Sequence, residues 1–184
     1  MKHYPIFDYQ DIHSHVPGKD RVMSIDFSTF ENVNIPKGQA VTVGVHPWNA
    51  DREIDWDLFK SRLRDTDVVG IGEAGLDTLR GPSQEIQQAV FERQIELAEE
   101  FDLPLIIHSV RSNHKVLELR KKYNPKVPWI IHGFRGNETE ARQLTEAGIH
   151  LSLGHRSKPL DAGQFPDGMI HFESDEEPSG KDNI

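Results

Sequence analysis

The segment His13-Ser14-His15 is the first place where this chain could do chemistry. Residues two apart in a β-strand project from the same face. Two imidazoles held that way share one space, as a divalent cation requires. Four more residues of ligand type close short β-rich runs. Val68 to Gly72 leads to Glu73, Leu105 to Ile107 leads to His108, Trp129 to Ile131 leads to His132, and Met169 to Ser174 leads to Asp175. A lone histidine at a strand end is most often an ordinary hydrogen-bonded residue. Ligand-type residues at every one of these ends, His13, His15, Glu73, His108, His132 and Asp175, form a pattern. Side chains at the ends of several parallel strands converge on one mouth when the strands form a barrel. Imidazoles and carboxylates in this mixture suit one or two divalent ions, with Zn, Mn, Mg, Co and Ni all acceptable to such ligands.

The elements that must position these residues alternate along the chain. Strands are expected at residues 6–13, 22–26, 41–46, 68–73, 104–108, 128–132, 149–153 and 168–173, and helices at 55–64, 84–101, 112–123 and 138–147. The second helix follows Pro82-Ser83 and carries Glu85 in its first turn, where the helix dipole favours a carboxylate. Its apolar residues, among them Ile86, Val90, Phe91, Ile95 and Ala98, largely keep the three-to-four spacing of a buried face. The last helix has Asn137 as N-cap and Gly148 just past its end. Alternating strands and helices imply parallel strands joined by right-handed crossovers. About eight strands imply an α/β fold, the (β/α)8 TIM barrel, for which about 250 residues is typical. With 184 residues the expectation is a trimmed barrel that lacks outer helices around the join of its first and last strands. Apolar wall exposed there could be covered by a second copy of the chain, a homo-oligomer. Gly72, Gly75 and Gly136 read as turn residues with positive φ. Gln94 reads as a hydrogen-bonding residue on a helix face, Asp77 as the anchor of a loop or an arginine, and Glu176-Glu177 as a solvated tail.

Residues 1–184 are enough for a single domain with a sizeable core. The absence of cysteine excludes disulfides, leaves only N and O ligands for a metal, and fits a cytoplasmic protein. No apolar run approaches the roughly 20 residues of a membrane span, and no apolar stretch follows Met1-Lys2-His3-Tyr4-Pro5, so neither a membrane segment nor a signal peptide is expected. A net charge of −9 weighs against a broad nucleic-acid-binding surface, because phosphate contacts dominate such binding. It leaves room for a small basic pocket. The loops after the fourth to seventh strands carry Arg80, Arg111, His114, Arg135, His155, Arg156 and Lys158, which would focus positive charge at the mouth. Arg135 and Arg156 are expected to contact a substrate anion. For His46, before Pro47, a turn role and a contact to substrate or to a metal-linked water are equally supported.

Taken in order, these segments resemble the TatD family of metal-dependent hydrolases, within the wider amidohydrolase-like superfamily. Asp11-Ile12-His13-Ser14-His15 is similar to that family's opening DxHxH, and Gly44-Val45-His46-Pro47 to its GxHP segment. Ile71-Gly72-Glu73-Ala74-Gly75-Leu76-Asp77 is close to IGExGLD, and Phe91-Glu92-Arg93-Gln94-Ile95-Glu96-Leu97-Ala98 to the FxxQxxLA helix. Pro104 to Ser109, Ile131 to Gly136, and Glu173-Ser174-Asp175 resemble the PxxIHxR, HxFxG and ETD segments. The chain departs from the pattern at Val110, where an arginine is expected, and at Glu173 to Pro178, a stretched form of ETDxP. The resemblance implies that His13, His15 and Asp175 hold one ion, that Glu73 bridges, and that His108 and His132 hold a second. It implies a water made acidic enough to give hydroxide near neutral pH, with Glu73 and Asp175 as the catalytic carboxylates and Asp175 carrying the proton. The implied activity is hydrolysis of phosphodiester bonds in DNA or a small phosphodiester, a deoxyribonuclease. The competing readings are hydrolysis of a small-molecule ester or amide, and a metal-binding relative without catalysis.

Overall fold

In the computed structural model, which describes residues 2–178, eight short parallel strands form one sheet in chain order. They are β1 (Asp11–Ser14), β2 (Arg21–Asp26), β3 (Val41–Gly44), β4 (Val68–Asp77), β5 (Leu105–Val110), β6 (Trp129–Ile131), β7 (Ile149–Leu153) and β8 (Ile170–Phe172). Four α-helices follow β3 to β6 in turn: α1 (Trp56–Arg62), α2 (Gln84–Phe101), α3 (Asn113–Tyr123) and α4 (Glu138–Glu146). After β2 and β7 stand only short 3-10 turns, Phe27–Asn32 and Ala162–Gln164. The result is a nearly closed TIM-type barrel, trimmed where the sequence expects trimming. Among the described residues no helix is long and apolar enough to cross a membrane.

Strand alternation divides the apolar residues between two cores. One set, including Val41, Val43, Ile71, Leu105, Ile107, Trp129, Ile131, Ile149 and Leu151, packs outward against Phe59, Phe91, Ile95, Leu97 and Leu144 of the helices. The other set, Val22, Ala40, Ile106 and Ile130, clusters with Tyr4 and Ile6 in the barrel interior. Ile106 and Ile130 each lie two residues before a candidate ligand, so they share its face one layer lower. The barrel floor is therefore hydrocarbon and its mouth is polar.

The floor carries the first correction. A strand was expected from residue 6, but Pro5–Asp8 form a 3-10 turn and β1 begins at Asp11. Proline has the fixed φ, and lacks the N–H, that suit the first position of a helical turn. The turn plugs the barrel: Ile6 is fully buried. Phe7 stacks on His150 and His171 at centroid distances of 5.1 and 4.6 Å. Burying an isoleucine side chain contributes roughly 1.5–3 kcal/mol.

The fourth strand carries the second. It does not stop at Glu73 but runs on to Asp77, so Glu73 sits in mid-strand. Gly72 and Gly75 are likewise strand residues, not turns, with φ of 156° and 149°. The reason is contact with β5: a Cβ at Gly75 would stand 2.1 Å from the His108 carbonyl oxygen. Gly136 lacks the expected positive φ, which falls instead on Gly133 at 56°.

Closure between β8 and β1 depends on the residues after β8. The Asp175 N–H donates to the His13 carbonyl at 3.1 Å, and the His15 N–H donates to the Glu176 carbonyl at 2.9 Å. The Ser174 N–H donates to Asp11 Oδ1 at 3.0 Å, and Arg21 donates to Glu176 Oε2 at 2.7 Å. Glu176 is thus part of the seam, not a solvated tail. On the outer wall beside it, Phe172 is 62% exposed.

Candidate metal centre

Glu73 stands in the middle of the mouth, and its two oxygens face two different groups. Oε1 lies 3.6 Å from His13 Nε2 and 3.4 Å from His15 Nε2. Asp175 Oδ1 completes that side, 3.7 Å from each of the same two nitrogens. Oε2 lies 2.8 Å from His132 Nε2, 3.1 Å from His108 Nδ1 and 3.6 Å from His46 Nε2. A tetrahedral ion with bonds of about 2.1 Å spaces its ligand atoms about 3.4 Å apart. The separations here fall around that value on both sides of Glu73. Among the described residues three ligand groups are geometrically competent: His13, His15 and Asp175; His13, Glu73 and His132; and His46, Glu73 and His108. The six residues expected from the sequence are therefore brought together, and His46 joins them.

A second layer holds these imidazoles. Asp77 Oδ2 lies 3.4 Å from His108 Nε2, and Glu173 Oε1 lies 3.5 Å from His132 Nδ1. Carboxylates in this position fix the orientation of a ligating imidazole and raise its basicity. Asp77 also accepts from the Leu79 and Arg80 N–H groups through Oδ1, the expected loop-anchoring role. The helix α2 sets the strand ends from behind. Gln94 bonds both the N–H and the carbonyl of Val45, at 2.8 and 3.1 Å, just before His46. Gln87 does the same for Asp77, at 2.8 and 3.0 Å. The sequence flagged Gln94 but not Gln87, and neither Asp77 nor Glu173 was read as supporting a ligand. A carboxylate two or four residues from a ligand motif is the signal that could have found them.

The protein groups alone leave an unbalanced centre. Burial, then the nearby His132 charge, pushes His13 down to about 3. Burial likewise lowers His46 to about 4. Burial also opposes the charged forms of His132 and Glu73, yet His132 is held well above its usual range by Glu73 and Glu173, and Glu73 well below its own by His132 and His13. Among the described residues both ring nitrogens of His13 are buried without a hydrogen-bond partner. Buried polar atoms are normally satisfied. Imidazole nitrogens and carboxylate oxygens aimed at shared points are the N and O donors a divalent cation takes, so the residues fit the ion.

Beside this centre, Arg135, Arg156, Gly133, Gly154 and His155 line a cleft that ends on Glu173 and Asp175. The structure thus places Arg135 and Arg156 together at the mouth, both exposed. Arg80 is drawn elsewhere, its guanidinium 5.0 Å from the Trp48 ring centroid.

The chain is also similar to known proteins. The model of the family described as TatD related DNase matches residues 28–163. The 3'-5' ssDNA/RNA exonuclease TatD of Cronobacter sakazakii is 36% identical over 119 residues, covering 61% of this chain and 44% of the relative. YabD of Bacillus subtilis, an uncharacterized metal-dependent hydrolase, is 36% identical over 144 residues, covering 72% and 56%. The chain spans about half the length of the curated relatives it matches. Among solved structures, the Escherichia coli TatD homologue YjjV superposes with a TM-score of 0.69 at 24% identity, covering 84% of this chain and 66% of that one. A TatD family hydrolase from Entamoeba histolytica gives 0.67 at 24% identity, covering 84% and 60%. These structural matches share the barrel.

Proposed function

The chain belongs to the TatD related DNase family, and from that premise we propose that it is a metal-dependent phosphodiesterase acting on single-stranded nucleic acid. The observation that carries this reading is the division of Glu73, one oxygen toward His13, His15 and Asp175 and the other toward His46, His108 and His132. His13, His15 and Asp175 would hold one cation, and His108 and His132, with His46 beside them, would hold a second, with Glu73 available to both. Bound divalent ions supply Lewis acidity and bring the pKa of water toward neutrality. Asp175, at the more open side of the centre, would carry a proton as general acid or base. Asp77 and Glu173 keep the His108 and His132 rings aimed. Arg135 and Arg156 receive the phosphate oxygens of the substrate, the role for which arginine geometry is suited. That relatives are named as exonucleases on single-stranded DNA and RNA supports the choice of substrate. A cytoplasmic location and a second copy covering the wall around Phe172 complete the proposal.

One feature favours a second reading. A net charge of −9 suits a small anionic or neutral substrate better than a long polyanion. The deciding experiment measures metal content per chain together with hydrolysis of single-stranded DNA and bis(p-nitrophenyl) phosphate. Metal-dependent turnover of DNA is expected. Bound metal with no turnover of either substrate would sink the phosphodiesterase reading, and no metal at all would sink the site. The arginine assignment has its own check. Arg135→Ala and Arg156→Ala are each expected to raise KM for the anionic substrate by roughly 10-fold, the worth of a charge-assisted hydrogen bond, and an unchanged KM would remove them from the site.

A further inference from the structure

Trp48 is left unused by this reading, yet its placement is specific. It lies in the 3-10 turn Pro47–Asn49 that follows β3, directly after His46. The turn is capped by the His46 ring itself, whose Nδ1 accepts from the Trp48 N–H at 3.2 Å. The indole N–H donates to Asp77 Oδ2 at 2.7 Å, the same oxygen that stands behind His108. The ring centroid is 4.7 Å from that of His46 and 6.0 Å from that of His108, edge-on to both. A side chain tied at its polar end to a buried carboxylate and braced against two imidazoles is fixed in orientation. Nevertheless 42% of Trp48 is open to solvent. Beside it the loop after β4 contributes Arg80, over the indole, and Leu79, 59% exposed.

We propose that Trp48 and Arg80 form a stacking subsite for the nucleobase attached to the phosphate under attack. The proposal rests on the phosphodiesterase reading and adds a base-binding residue to it. A base hangs from its phosphate by one sugar, and Trp48 lies one ring away from the histidines that face Glu73. Its indole is preorganised, so stacking costs little side-chain ordering. Stacking needs a π-face and no particular hydrogen-bond pattern, so the subsite accepts any base and favours purines for their larger rings. Arg80 extends the stacked surface and supplies positive charge in a chain that is acidic overall. The base must be unpaired to lie on the indole, which selects single strands over duplex.

The test is a binding cycle on the metal-loaded protein, using dAMP and deoxyribose 5-phosphate, which differ only by the base. Calorimetry should show wild type binding dAMP roughly 5- to 150-fold more tightly, the range for one stacked base. Trp48→Ala should erase that ratio by weakening dAMP alone. Trp48→Phe, which keeps a ring but loses the bond to Asp77, should retain part of it. Equal affinities for the two ligands in wild type, or a ratio unchanged by Trp48→Ala, would overturn the subsite. DNA hydrolysis by the same wild-type sample separates this from the broader reading. Cleavage without base preference removes Trp48 only, while base preference without cleavage keeps the subsite and removes the nuclease.

Discussion

Two pairs of histidines point into one barrel, and their surroundings give them opposite chemistry. His150 and His171 lie on the floor, with His150 Nδ1 and His171 Nε2 2.9 Å apart and Phe7 stacked on both. Burial pushes both below the usual imidazole range, His171 to about 4. His108 and His132 lie at the mouth, where desolvation again opposes the charged form, yet both are raised, because Glu73 faces them and Asp77 or Glu173 stands behind. The difference lies in which residues share the layer. His171 on β8 belongs to the floor while Glu173, two residues further and just past the strand, belongs to the mouth. Behind His108 and His132 stand carboxylates, whereas behind His150 and His171 stands an aromatic ring.

Three changes would break or sharpen this contrast. Glu73→Gln removes the charge common to both halves of the mouth. Metal content and kcat/KM are expected to fall by more than the roughly 100-fold that outer partners of a metal site account for. Elemental analysis and phosphodiester hydrolysis read both, and retention of either would mean that Glu73 is not the bridge. Asp77→Asn and Glu173→Gln convert a mouth histidine toward the floor type by neutralising its backing group. Each should weaken metal affinity by about 10- to 100-fold with little loss of fold. A chelator titration followed beside circular dichroism separates the two effects, and unchanged affinity would reduce these carboxylates to packing.

The smallest effect belongs to the floor. The His171 imidazole is lowered in the folded state by burial and by His150, with Gly168 opposing and Arg120 nearby acting on His150. A depressed imidazole binds its proton more readily in the unfolded chain. Stability from this group is therefore complete above the ordinary value of 6.5 and lost as pH falls toward about 4. With partial solvent access the loss is on the order of 1 kcal/mol. Melting temperatures of wild type and His171→Phe should converge as pH drops through that window. Parallel curves would show that the floor pair does not titrate as described.

Much of this arrangement is legible in the sequence, for identifiable reasons. The helices are found within a residue or two because Ser83, Asn137 and Gly148 cap them as their types suggest. The candidate ligands can be picked out because each closes a β-rich run, and the structure brings them together. What escaps depends on contacts between distant segments. The turn at Pro5–Asp8 looks like strand because Ile6 and Phe7 are apolar, and only the open barrel end shows why they turn inward. Gly72 and Gly75 look like turn residues because the approach of β5 is invisible in β4 alone. Trp48, Asp77 and Glu173 look incidental until the mouth brings Asp77 to Trp48 and His108, and Glu173 to His132.

The seam between β8 and β1 also sets an order in time. His108 on β5 and His132 just after β6 are 24 residues apart at the ends of adjacent paired strands, so their half of the centre forms from near-neighbour contacts. His13 and Asp175 meet only when the segment after β8 reaches back across nearly the whole chain to the β1 backbone. Contacts of such separation carry the larger closure entropy and tend to form late. Folding should therefore build a one-sided centre first, and the segment from Ser174 to Glu176 should act as the latch that makes it two-sided.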